Sequence, residues 1–145
     1  MPDKSTIEKA KKDKAEGKSE STQAGEFVHD EIEKVKKGKH GVRNVKQAIA
    51  IGLSEARRAG FNAPTKNASK AVKKKAKQDE ARAGKPVNQK RSRARIKALK
   101  KEPTDSVTSK TLSKQAKSAA KKRSASDRSA AAKKAARTRA KNKSK

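Results

Sequence analysis

Cysteine is missing from this 145-residue sequence, as are tryptophan and tyrosine, and two phenylalanines are its entire aromatic content. Without cysteine the chain can form neither a disulfide nor a thiolate metal site. No apolar run approaches the roughly 18 residues of a membrane span, and the N-terminus leads into no hydrophobic signal region. We therefore expect a cytoplasmic protein that does not insert into a membrane.

Large apolar residues are also scarce. Leu, Ile, Val and Phe number 17 in 145 residues, which is below the roughly 20% at which a highly charged chain tends to be disordered. Ten of the 17 lie between Phe27 and Phe61. A folded core is therefore expected in that segment, because elsewhere too little apolar surface is available to offset the entropy of ordering the chain.

Acidic residues are rare in the C-terminal half, and basic residues are abundant there. The first 62 residues carry 14 Lys and Arg against 10 Asp and Glu, whereas residues 63–145 carry 29 against five, a net of +24 within a total of +28. Charge of this size must be solvated or neutralised by a polyanion. The chain thus divides into a nearly balanced head and a cationic arm.

These patterns predict a mainly α protein in three parts. Residues 1–25 are predicted to form an N-terminal helix followed by a polar linker over 19–25. Residues 26–62 are predicted to form a small αα-hairpin, because apolar residues recur there at helical spacing. Residues 63–145 are predicted to form a Lys/Ala-rich arm that is largely disordered or nascent helix when free.

The hairpin has recognisable start and stop signals. Gly38 and Gly60 are suited to end its two helices in the left-handed conformation. Asn44, with Gln47 three residues later, is suited to cap the second helix. Ala48, Gly52 and Ala56 are small and share one helical stripe, so they allow another helix to approach closely; Ile51 lies off this stripe and is predicted to be exposed or to face a second partner.

A hairpin of this length is smaller than most independently stable cores. Self-association through the hairpin, or docking of the flanking helices, is the expected remedy, with Phe61 folding back over the end of the second helix. In the arm, further helical segments are predicted near 65–83, ended by Gly84 and Pro86, near 88–101, ended by Pro103, and near 106–123 and 126–140. Like charges four residues apart oppose these helices until phosphates screen the repulsion.

The arm predicts binding to nucleic acid, with duplex DNA favoured over RNA. No aromatic residue lies in it to stack unpaired bases, so an RNA-recognition module or a single-strand platform is disfavoured. The expected activity is sequence-independent contact with phosphates, with bridging or compaction of DNA in the nucleoid. The predicted phosphate-binding residues are Lys73, Lys74, Lys75, Lys90, Arg91, Arg93, Arg95, Lys121, Lys122, Arg123, Lys133, Lys134, Arg137 and Arg139.

No constellation in the sequence indicates catalysis, so we do not expect an enzyme. His29 and His40 are the two histidines, and both are predicted to be surface residues without a metal-ligand spacing. No catalytic residue, cofactor site or metal site is predicted. A role at a membrane surface is disfavoured, since the faces opposite the lysines carry mostly alanine.

Residues 38–60 read GKHGVRNVKQAIAIGLSEARRAG, and residues 21–28 ahead of them read STQAGEFV. These blocks resemble an uncharacterised family of small basic bacterial proteins that are often labelled DNA-binding or plasmid-stabilisation-like. The arm, with LSKQAKSAAKKR at 112–123 and DRSAAA at 127–132, resembles longer members of that family. Its composition is also similar to that of linker-histone tails. The resemblance implies a bacterial setting and no catalytic residues.

Two alternatives to DNA binding stay open at this stage. A basic arm can fold into structured RNA, as ribosomal protein extensions do, which would make the protein RNA- or ribosome-associated. The hairpin can instead be the main functional part, as in a plasmid-maintenance module that binds a partner protein.

Overall fold

The computed structural model describes residues 2–63, 65 and 68–144, and these residues form helices and turns with no strand. The mainly α class predicted from the sequence is therefore confirmed. The chain divides into two compact units, the first ending at Thr108 and the second beginning at Ser109. The helices are α1 (Lys4–Ala15), α2 (Glu20–Lys36), α3 (Val45–Arg58), α4 (Lys70–Ala81), α5 (Gln89–Leu99), α6 (Ser109–Lys121) and α7 (Ala125–Lys143).

Capping residues set the ends of α2 and α3 as the sequence predicts. The Asn44 side-chain oxygen accepts a hydrogen bond from the Gln47 amide at 2.9 Å, and the Gln47 side chain accepts one from the Arg43 amide at 2.6 Å. Gly38 and Gly60 have φ of +73° and +89°. Glycine enters this region without the steric cost that a Cβ brings, so each helix stops there.

The start of α2 differs from the prediction, since residues 19–25 are not a linker. Ser19 is the N-cap of α2, and its hydroxyl accepts a hydrogen bond from the Thr22 amide at 3.4 Å. Ala24, one turn into the helix, is fully buried and belongs to the same apolar cluster as Ala10 of α1. The polar composition of residues 19–25 does not indicate that Ala24 packs against α1.

The core of the first unit joins α1, α2 and α3. Phe27 of α2 is fully buried, and its ring lies 5.4 Å from that of Phe61, which follows α3. At the α2–α3 contact, a Cβ added to Gly52 would lie 2.6 Å from the Val28 Cα. The two helix backbones therefore approach closely at Gly52, as the stripe of small residues predicts.

The α2–α3 pair is embedded in a larger helical unit, so an isolated hairpin is not confirmed. α1 packs on α2, and α4 packs on α3. Ile51, which lies off the main stripe of α3, is 6% exposed and lines a groove together with Val72 of α4 and Leu99 of α5. The docking of flanking helices thus buries the face that the pair alone would leave open.

The segment after α5 is hydrogen-bonded to the loop between α2 and α3. The Gly41 amide donates to the Leu99 carbonyl and the Val42 amide to the Pro103 carbonyl, each at 3.0 Å. The Ser106 hydroxyl donates to the Val42 carbonyl at 2.6 Å. The predicted boundary at residue 63 therefore differs from the division into compact units, because α4 and α5 belong with α1–α3.

The second unit contains α6 and α7. None of residues 109–144 is buried, so these helices rest on intrinsic propensity and capping more than on a core. Alanine and lysine favour helix, and the Ser124 hydroxyl caps α7 by accepting from the Asp127 amide at 3.1 Å. The largely disordered arm that composition predicts is therefore not confirmed in either unit. Within the described ranges, no helix is long and apolar enough to cross a membrane.

Candidate nucleic-acid interface

The fourteen predicted phosphate-binding side chains are all exposed. They are distributed over α4, α5, α6, α7 and the turn after α6, and so over both compact units. These helices differ in the faces on which they carry their cations.

On α4 the cations lie opposite the buried face. Ala76 and Asp79 are buried and mark the side that faces α3. At about 100° per residue, Lys70, Lys74 and Lys77 fall on the other side of the helix. This leaves three positive charges in line on the solvent face of α4.

The basic residues of α5 differ in the side of the helix on which they lie. Leu99 is buried, and Lys90, Arg93, Lys97 and Lys100 fall on the side that faces away from it. Arg95 instead lines the groove beside α3. There its charge lowers the pKa of Glu55, although burial, the larger influence, keeps that pKa above its ordinary value.

The same spacing occurs on three successive helices, and we call the sets the cationic triads. Their members are four and then three residues apart, so each triad occupies one helical stripe about 10.5 Å long. On α6 a fourth lysine, Lys121, extends the stripe. The triads are Lys70, Lys74 and Lys77; Arg93, Lys97 and Lys100; and Lys110, Lys114 and Lys117.

Most members of the triads lie outside the densest basic runs of the sequence. Lys70, Lys77 and every lysine of the α6 triad stand between uncharged neighbours, so local density does not reveal them. The signal that finds them is the periodicity of positive charge, read in the same way as that of apolar residues.

Lys75 differs from its neighbours because it takes part in an internal cluster around Asp79. The Asp79 carboxylate is buried; it accepts a hydrogen bond from the Ser54 hydroxyl at 2.8 Å and lies 2.6 Å from the Lys75 ammonium and 3.3 Å from Arg58 Nε. Burial, the largest single influence, raises the pKa of Asp79, but the bonds from Lys75 and Ser54 outweigh it and lower the pKa overall. This cluster fastens α4 to α3.

His40 is not the surface residue predicted, since it is 6% exposed. Its Nδ1 lies 2.9 Å from the Gly41 carbonyl and its Nε2 lies 3.0 Å from the Glu31 carboxylate. A carbonyl oxygen accepts only, so Nδ1 is the donor in its contact with Gly41, while Nε2 faces the Glu31 carboxylate. Burial, followed by the negative charge of Glu55, raises the pKa of Glu31. His29, by contrast, is exposed as predicted.

In the part of the chain that the structure describes, no three His, Asp or Glu side chains converge in a way that could hold a metal ion. Glu31 of α2 and Glu55 of α3 lie close enough for the negative charge of Glu55 to raise the pKa of Glu31, after the larger effect of burial. The exposed cationic stripes, by contrast, are accessible to a ligand.

Residues 11–67 match a family of unknown function (DUF6496). The matched segment contains α2, α3 and the last five residues of α1, together with the loop that carries His40. Comparisons with the curated proteins and with the solved structures found no match.

The cationic triads lie outside the matched segment. The first triad residue along the chain is Lys70, which lies three residues beyond the end of the matched segment. The similarity therefore concerns α2, α3 and the end of α1, and it does not extend to the cationic helices.

Proposed function

We propose that this protein is a non-enzymatic DNA-binding protein of the nucleoid type, which contacts duplex phosphates through its cationic helices without sequence preference. The repeated cationic triads are the observation that carries the proposal. They place exposed charges of one sign along straight helical lines in both compact units.

The spacing of the triads suits a phosphate backbone. One strand of a duplex carries about one negative charge per 3.4 Å of helix axis. A triad about 10.5 Å long matches the axial rise of about three phosphates of one strand. The α6 stripe, which includes Lys121, is about 16 Å long and matches the axial rise of about five phosphates.

Duplex DNA is preferred to single-stranded nucleic acid for a compositional reason. Both aromatic residues, Phe27 and Phe61, are buried in the first unit. Proteins that hold single strands stack bases on exposed aromatic side chains, which are worth about 1–3 kcal/mol per base. Contact with the phosphate backbone is therefore the favoured mode of binding. Separate cationic faces on one chain would also allow the protein to compact DNA.

The proposal is tested by the dependence of affinity on salt. We expect equal affinities for unrelated duplexes and a steep linear fall of log K with log salt concentration, with a slope of about −0.9 per phosphate contact. Changing Lys110, Lys114, Lys117 and Lys121 to Gln should make the slope less steep by about 3.6. When the salt concentration is doubled, the ratio of the wild-type to the variant binding constant should then fall about 12-fold.

A matched control is available on α1. Lys4, Lys9, Lys11 and Lys14 are exposed and outside the proposed interface, and their change to Gln removes the same net charge. The slope of this control should stay close to that of the wild type. Equal effects of the two quadruple variants would show that total charge alone matters, and strong preference for one duplex sequence would overturn the proposal.

Structured RNA is the competing ligand. Competition between a DNA duplex and a folded RNA at one salt concentration separates the two, and preferential retention of the RNA would replace the DNA assignment with the ribosome-associated one. Specific recovery of a single partner protein that survives nuclease treatment would instead favour a plasmid-maintenance role.

A further inference from the structure

α7 carries its cations differently from α6. At about 100° per residue the four lysines of α6 fall within a sector of about 60°, so α6 is positive on one side. The cations of α7 fall in two rows on opposite sides of the helix. The first row is Lys133, Lys134, Arg137 and Lys141, and the second row is Arg128, Arg139 and Lys143.

Both rows are free to meet a ligand, because all seven side chains are exposed. No side chain of α7 is buried, so neither row is held against another element as the buried face of a surface helix would be. A single phosphate strand can neutralise one side of such a helix and would leave the other row facing water. Two rows on opposite sides therefore fit two anionic walls.

The two backbones that border one groove of a duplex provide such walls. The major groove of B-form DNA is about 12 Å wide and admits an α-helix, which is about 10–12 Å across with its side chains, whereas the minor groove is about 6 Å wide. Between the rows α7 carries short side chains such as Ala135 and Thr138. No bulky group there keeps the helix from entering the groove.

We propose that α7 lies in the major groove of duplex DNA, with its first row on the phosphates of one strand and its second row on those of the other. This inference rests on the proposed function and names the part of the duplex that one helix contacts. It also predicts discrimination between nucleic acids, because the major groove of an A-form RNA duplex is deep and narrow. α6, with one cationic side, needs no groove and is expected to bind the backbone of either duplex.

The test compares two triple variants of the full chain that lose the same charge. In the first, Arg128, Arg139 and Lys143 are changed to Gln; in the second, Lys110, Lys114 and Lys117 are changed to Gln. Glutamine is a good helix former, so both helices should persist, which circular dichroism checks. Salt slopes are measured on a DNA duplex and on an RNA duplex of the same sequence.

We expect the second-row variant to have a DNA slope less steep by about 2.7 and a nearly unchanged RNA slope, while the α6 variant is altered on both duplexes. Wild-type protein should also protect guanine N7, which faces the major groove, from methylation by dimethyl sulfate. The second-row variant should lose that protection.

The possible outcomes separate this inference from the proposed function. If the wild type binds no duplex, the proposed function fails. If it binds and the α6 variant weakens binding, but the second-row variant has a wild-type DNA slope or N7 stays reactive, the groove placement alone is wrong. A second-row variant that binds one duplex normally but no longer captures a second duplex would show that the two rows join two molecules of DNA instead.

Discussion

Gly52 provides a sharp test of the α2–α3 contact when it is compared with Gly25. Both glycines lie inside helices, and changing either to Ala should gain about 1 kcal/mol of helix propensity. Their surroundings differ: a Cβ at Gly25 meets nothing within 4 Å, whereas one at Gly52 would lie 2.6 Å from the Val28 Cα and 2.8 Å from its nitrogen. The pair therefore separates helix propensity from helix contact.

The expected cost at Gly52 follows from these distances. Ordinary contact begins near 3.4 Å, so the α2 and α3 backbones must separate by about 1 Å, and a gap of that size forfeits a quarter to a half of the attraction across it. Overpacking typically costs about 1–3 kcal/mol, and a contact with backbone belongs at the upper end. After the gain in propensity, Gly52→Ala should destabilise the first unit by about 2 kcal/mol.

The measurement is thermal unfolding followed by circular dichroism at 222 nm, because the chain has no Trp or Tyr for fluorescence. A change of 1 kcal/mol shifts Tm by roughly 4–8 °C for a unit of this size. We expect Gly52→Ala to lower Tm by about 8 °C or more and Gly25→Ala to raise it by about 4 °C. A Gly52→Ala protein that melts at or above the wild-type temperature would refute the close approach.

Three further predictions concern the contacts that join the elements of the first unit. Gly41→Ala places a Cβ against the Glu102 and Pro103 carbonyls, so it should speed hydrogen exchange of the residue 42 amide, and unchanged protection there would contradict this contact. Asp79→Asn should lower the free energy of unfolding by about 1–3 kcal/mol, which is less than for a fully buried pair because the cationic partners of Asp79 are partly exposed. The folded pKa of Asp79 is lowered from 3.8. Its contribution to stability is therefore present above pH 3.8 and lost as pH falls through the folded pKa. The folded pKa of Glu31 is raised from 4.5, so its contribution to stability is present below pH 4.5 and lost as pH rises through the folded pKa. Glu31→Gln should weaken this pH dependence, because an amide does not ionise and can donate to His40. Identical pH–stability curves for the wild type and the variant would show that the Glu31–His40 pair does not cause the pH dependence.

Local chemistry explains which parts of the fold are readable from the sequence. The caps at Asn44 and the stops at Gly38 and Gly60 depend on hydrogen bonds and backbone angles within a few residues, so they appear in the structure where they are predicted. Ser19 carries the same kind of signal. The polar residues after it favour a linker, although serine before a helical segment is a strong N-cap.

The contacts that hold α4 and α5 are of a kind that composition does not reveal. Composition predicts disorder because a Lys/Ala-rich chain has little apolar surface, but α4 and α5 are held by few and specific contacts. One buried carboxylate, Asp79, fastens α4 to α3, and backbone hydrogen bonds from Gly41 and Val42 hold the end of α5. Neither kind of contact contributes to apolar content, so no count of large apolar residues could reveal them.

The candidate interface divides in the same way. The sequence by itself determined that the chain is helical, that residues 63–145 carry +24 of the charge and that no exposed aromatic platform accompanies it, because charge and helix propensity are properties of the residues themselves. Tertiary structure alone decided which side chains are buried and which stay exposed. Ala76 and Asp79 turn inward on α4 and leave Lys74 outside, His40 is drawn into a buried pair with Glu31, and Lys75 is joined to Asp79. These assignments depend on neighbours distant along the chain, and only packing brings those neighbours together.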